Sequence, residues 1–175
     1  MRVGGSMNML QKLILMPRFF KARSITKKAN KLLSEGNYAA AKGLYLQLED
    51  MKTVNYMIYH NIATIYFQER EWGKAEEYFK KCLSLQPHSA VSYSTLSEVY
   101  LRSRRWKEAE QAITEAVAIE PLNYFLAKRK EKVTDSQWRT KHVDALELTE
   151  EGLRLMSEQR FDDALNRFER AVLLD

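Results

Sequence analysis

Tyr38, Trp72 and Trp106 stand 34 positions apart, and the three alanines that follow them, Ala41, Ala75 and Ala109, keep the same interval. So do a second column of small residues, Ala29, Ala63 and Ser97, the bulky residues Tyr45, Phe79 and Ile113, and the prolines Pro87 and Pro121. After an extra 21 residues the pattern returns as Gly152, Phe161, Ala164, Phe168 and Ala171. A fixed period between about 20 and 50 residues means that one supersecondary unit is repeated and that each copy buries its apolar face against its neighbours. Composition agrees: 45% of the 175 residues are hydrophobic, with only 6 Gly and 3 Pro, which is enough to build a core and too little for a loop-rich chain.

Each unit reads as two helices. From Tyr56 to Glu69 the residues Tyr59, Ile62, Ala63 and Tyr66 recur at three- and four-residue intervals, the mark of one buried stripe. A second helix over 74–85 offers Ala75, Tyr78, Phe79, Cys82 and Leu83 at the same spacing. The polar stretches Ser34-Glu35-Gly36-Asn37, Arg70-Glu71 and Arg104-Arg105 are the turns within units. Small residues in both helices let two backbones approach closely. Pro87 and Pro121 cannot sit inside a helix, so each marks the passage to the next unit.

These columns resemble the tetratricopeptide repeat family. The resemblance implies an all-α fold, a right-handed superhelical solenoid of helix-turn-helix repeats, with contiguous units at 22–55, 56–89 and 90–123. A fourth unit, clipped at its C-terminal end, covers 145–175; a basic amphipathic segment (1–21) precedes the array and a basic helical insert (124–144) divides it. Thr53 stands where the first unit's closing proline belongs, and Leu48 and Cys82 replace a small residue.

The family binds its partners in a concave groove lined by the first helix of each unit. Transferred to this sequence, those positions are Asn30 and Leu33, then Met57, His60, Asn61, Thr64 and Phe67, then Val91, Ser94, Glu98 and Leu101. Amide and apolar groups along such a groove suit the backbone and side chains of an extended or helical peptide. Some relatives clamp a C-terminal carboxylate with basic residues and asparagines. Asn30 and Asn61 take clamp-like places, but Thr26, Val91 and Thr95 stand where the basic residues would be, so no carboxylate clamp is expected.

The formal charge of +5 belongs to two short stretches. Residues 1–34 hold 8 Lys or Arg and no acid, and 124–144 hold 6 against 3; residues 35–123 have 10 against 12, and 145–175 have 4 against 8. The slightly acidic array would not follow a phosphate backbone, so nucleic acid is not an expected partner. The longest unbroken apolar run near the N-terminus, Leu13-Ile14-Leu15-Met16, is far short of the roughly 20 residues that span a bilayer. Residues 7–16 are read as a helix capping the first repeat, or as an interfacial segment with Lys12, Arg18, Lys21 and Arg23 toward anionic headgroups. Pro17 fits the first turn of a helix, so the first repeat helix is expected to begin there and run to Leu33. In the insert, Tyr124, Phe125 and Leu126 are expected to pack on the third unit, 128–132 to form a solvated helix face, 134–137 to turn, and a helix to run from Trp138 into the fourth unit.

No catalytic constellation, metal-ligand spacing or cofactor motif is present, so no enzyme activity, metal or cofactor is expected. Cys82 falls on the buried side of a helix, and His60 on the groove could titrate near neutral pH. The leading expectation is a non-enzymatic, cytoplasmic scaffold that binds a peptide or helix of a partner protein. The alternatives are a membrane-peripheral adaptor docking through the N-terminus, or the regulatory portion of a longer enzyme. An uncovered terminal repeat would also allow homo-oligomers.

Overall fold

A computed structural model describes residues 9–174, with side chains from 18 to 174. Among the described residues the chain is all α: α1 (Met9–Ser34), α2 (Tyr38–Asp50), α3 (Tyr56–Gln68), α4 (Trp72–Leu85), α5 (Ala90–Arg102), α6 (Trp106–Ile119), α7 (Tyr124–Thr134), α8 (Ser136–Ser157) and α9 (Phe161–Val172). They form two compact units, 1–85 and 86–175. Residues 1–8 of the N-terminal arm lie outside the described residues, as do the side chains of the amphipathic stretch that follows.

In the first unit α1 pairs with α2 and α3 with α4. Ala29, Ala41, Ala63 and Ala75 are fully buried, as the two small columns require, with Tyr45 and Phe79 filling the space beside them. Both hairpin turns have one geometry. Gly36 (φ 74°) and Arg70 (φ 62°) adopt the left-handed conformation. Around them Asn37 N–H donates to the Leu32 carbonyl at 2.9 Å and Glu71 N–H to that of Tyr66 at 2.9 Å. This Schellman arrangement satisfies carbonyls that a helix end otherwise leaves open. Asn37 and Asn55 then cap α2 and α3 through their side-chain oxygens.

The first helix is longer than the sequence reading gives. It starts at Met9 rather than at Pro17 and passes through the proline unbroken. The proline removes one i→i−4 bond, which the runs of good helix formers on both sides outweigh.

The second unit repeats the scheme in α5–α6 and α8–α9, with α7 between them. Arg104 (φ 55°) and Gln159 (φ 61°) occupy the same left-handed turn position as Gly36 and Arg70. Ser97, the one polar member of its column, is fully buried and donates its hydroxyl to the Ala109 carbonyl at 2.8 Å, joining α5 to α6. Ser89 and Asn123, each one period beyond the cap before it, cap α5 and α7.

Three expectations for the insert change. The turn shrinks to Asp135, which closes α7 and caps α8 by accepting from Gln137 and Trp138 N–H. Tyr124 and Phe125 point to solvent, packed edge to face on each other, because α7 turns Val133 inward instead. Nor is the basic run purely solvated: Arg129 pairs with Glu98 on α5, and in the helix that follows Arg139 pairs with Glu110 on α6.

The two small positions on α2 and α8 give opposite expectations. A Cβ added at Gly152 would lie 2.6 Å from the Phe168 ring, whereas one at Gly43 meets nothing within 4 Å. Overpacking costs about 1–3 kcal/mol and Gly→Ala in a helix returns about 1. Gly152→Ala should therefore lower stability by about 1 kcal/mol and Gly43→Ala raise it by about 0.5–1 kcal/mol, measured as urea midpoints at constant m-value.

Candidate functional site

The first helices of the first unit present one continuous set of side chains. On α3, Met57, the adjacent pair His60 and Asn61, Thr64 and Phe67 recur on successive turns of one face, and Asn30 and Leu33 stand three apart on α1. The two strips are joined by a residue that lies beneath them. Tyr45, from α2, is fully buried; its hydroxyl donates to Asn30 Oδ1 at 2.6 Å and accepts from Asn61 Nδ2 at 3.0 Å. Burial pushes the Tyr45 phenol upward from its ordinary value, and the bond from Asn61 opposes that only in part, so it stays protonated and able to donate. Each asparagine spends one half of its amide on Tyr45. The Asn30 Nδ2 donors and the Asn61 Oδ1 acceptor remain, the donor-and-acceptor complement of a peptide group.

Around this bridge the surface is apolar. Met57 is 54% exposed, and Leu33 and Phe67 are half-exposed. Phe67 is held edge-on against Trp72, with ring centres 5.3 Å apart. His60 packs edge to face on Phe79 at 5.4 Å, and burial lowers its imidazole below the usual value. Thr64 donates its hydroxyl to the His60 carbonyl at 2.9 Å, so it offers a methyl rather than a free donor.

The second unit treats the expected groove positions differently. Val91 is 63% exposed and Ser94 half-exposed. Leu101, expected on the groove, is fully buried and belongs to the core. Glu98 is already engaged: Arg129 of α7 pairs with one of its oxygens, and His142 Nε2 of α8 lies 3.9 Å from the other. Arg102 pairs with Glu150, and Arg104 with Asp144 at 2.7 Å and Glu147 at 3.0 Å, so α8 is fastened along α5. Arg129 of the insert and α8 thus engage one end of the α5 strip, at Glu98, and leave Val91 exposed.

Cys82 is fully buried on α4. Among the described residues no three His, Cys, Asp or Glu side chains gather to hold a metal ion, and no helix is long and apolar enough to cross a membrane. Sequence reasoning missed Tyr45 as part of the site. Its signal was that it is the one hydroxyl-bearing member of a column otherwise filled by Phe79 and Ile113.

Residues 56–120, which span α3 to α6, match the family model of the tetratricopeptide repeat. Over that stretch the sequence is tetratricopeptide repeat. The structure is similar to the first tetratricopeptide domain of Spaghetti (RPAP3) bound to the HSP90 peptide SRMEEVD, at 23% identity and a TM-score of 0.60, covering 65% of this chain and 90% of that one. It is similar as well to the second such domain of human RPAP3 in complex with the HSP70 peptide SGPTIEEVD, at 19% identity and a TM-score of 0.61, covering 67% of this chain and 98% of that one. MamA matches over a longer stretch, 93% of this chain and 83% of its own, at 16% identity and a TM-score of 0.60. These likenesses establish the all-α repeat fold. No curated protein sequence matches the chain.

Two substitutions, one in the Asn30–Tyr45–Asn61 bridge and one beside it, have distinct expected outcomes. Tyr45→Phe leaves the amides of Asn30 and Asn61 without their shared partner and should cost about 1 kcal/mol in urea denaturation. Because the folded-state value of His60 lies below its ordinary 6.5, the unfolded chain binds more protons in mild acid. Its contribution to stability is therefore intact above pH 6.5 and is lost as pH falls through the lower folded value. The drop in urea midpoint between pH 7.5 and 5.5 should shrink in His60→Gln.

Proposed function

We propose that this protein is a non-enzymatic scaffold that binds a segment of a partner protein on the α1–α3 face of its first unit. The observation that carries the reading is the Asn30–Tyr45–Asn61 bridge. It fixes two amides from different helices with complementary groups left over, beside Met57, Leu33 and Phe67. An extended peptide needs its backbone polar groups met and its apolar side chains seated, and this surface offers both. The two RPAP3 domains, solved with bound chaperone peptides, show that the fold accommodates such ligands and so support the reading. The same reading makes the second unit a lesser contributor, since Leu101 is buried and Glu98 paired.

A C-terminally anchored random nonapeptide library, panned on the full chain, tests this. Peptides that bind the native chain should lose at least tenfold in affinity to Asn61→Ala combined with Met57→Ala, because amide and apolar anchors dominate such interfaces. Equal affinity for the double variant would place the binding surface elsewhere.

A further inference from the structure

Beside Asn30, at the end of the site nearest the N-terminus, lies a cleft of about 690 Å³ between α1 and the start of α3. Its apolar wall is Phe19, Ala22 and Ile58, and its rim carries Arg23 and Lys27. These cations stand four residues apart, on neighbouring turns of one helix face. No carboxylate lines the cleft, and among the described residues neither cation has an acidic partner. Two other cations of α1 do have partners: Lys31 pairs with Glu35 at 3.7 Å, and Arg18 donates to the Met51 carbonyl. Across both units nearly every arginine near a groove position is matched by an acid, as Arg102, Arg104, Arg129 and Arg139 are. Arg23 and Lys27 have no such acid, and what sets them apart from Lys21 and Lys28 of the same helix is that they flank a cavity rather than a flat surface.

We infer that this cleft is a specificity pocket for an acidic peptide: an Asp or Glu side chain between Arg23 and Lys27, with a neighbouring large apolar side chain against Phe19, Ala22 and Ile58. The inference rests on the peptide-binding reading and names the partner's chemistry. Two cations without counter-ions attract a carboxylate, and the half-enclosed apolar wall strengthens that attraction by reducing solvent screening. Asn30 belongs to both the bridge and the cleft, so a peptide lying across Asn61 and Asn30 continues into it. A flat lipid surface could meet the charges but would leave the wall beneath them unfilled. The ligand group is an internal side chain, so a free C-terminus is not needed.

The same anchored library provides the test, since anchoring removes the C-terminal carboxylate. Peptides selected on the native chain should be enriched in Asp or Glu next to Leu, Ile, Met or Phe. For the best of these, made as an amidated peptide, Arg23→Glu with Lys27→Glu should weaken binding at least tenfold, and panning on that variant should enrich Lys or Arg instead. The milder Arg23→Gln with Lys27→Gln should weaken the acidic peptide several-fold while leaving its Glu→Gln version unchanged, with circular dichroism reporting that both variants fold. Peptides that depend on Asn61 and Met57 but show no acidic preference would overturn the pocket and leave the groove standing. A library yielding no binder would overturn both. Binding only by the free-acid form of the peptide would assign the cations to a C-terminal carboxylate and overturn the inference. So would charge-dependent binding to vesicles of phosphatidylcholine and phosphatidylserine without acidic enrichment in the library.

Discussion

Close approach of two helix backbones in each hairpin is the constraint on which everything else in this protein rests. Ala29, Ala41, Ala63, Ala75, Ser97, Ala109, Gly152 and Ala164 hold the positions where the helices meet, and all are buried. A larger side chain at any of them would separate the pair, as the 2.6 Å between a hypothetical Gly152 Cβ and Phe168 illustrates. The left-handed residues Gly36, Arg70, Arg104 and Gln159 set the turn that brings each pair together. Three of these four lack the freedom of glycine and hold a conformation that costs other residues about 1 kcal/mol or more. Packing between the hairpin helices offsets that cost.

With the hairpins fixed, the first helix of each is held by its partner and its outer strip is available for a ligand. In the first unit this availability is realised through Tyr45. A phenol buried in the core reaches up to position two amides on separate helices, so core packing and the proposed recognition surface share one side chain. In the second unit part of the same strip is engaged by the chain itself, while Val91 stays exposed. The Glu98–Arg129 pair ties α7 to α5, and Arg102 and Arg104 pair with acids of α8. The repeats are alike in sequence pattern and unlike in what they leave open.

The fold was legible because its determinants repeat. Small, aromatic and turn residues recur at a 34-residue interval, and each recurrence reinforces the same reading of local structure. The exposure of the candidate site's residues was legible only where it coincided with that periodicity. Asn61, Met57 and Asn30 sit where repeat position puts them, on the first-helix face. Leu101 is instead core, and Glu98 is paired by Arg129 of an insert that has no counterpart in the repeat. The same absence of a periodic frame explains why Tyr124 and Phe125, apolar in character, are expected to pack on the third unit and yet face water, since one turn of helix direction decides which they meet. The Arg23–Lys27 cleft was invisible for another reason. A surplus of positive charge can be counted in a sequence, but which cations lack a partner can be read only from three-dimensional contacts.

The most direct measurement of the central claim is a two-dimensional amide NMR titration of the full chain with a nonapeptide selected on it. The account predicts saturable shifts in the side-chain amides of Asn30 and Asn61 and in the backbone of α1 and α3, with the second helices α2 and α4 largely undisturbed. Shifts confined to α2 and α4, or to the second unit, would contradict it.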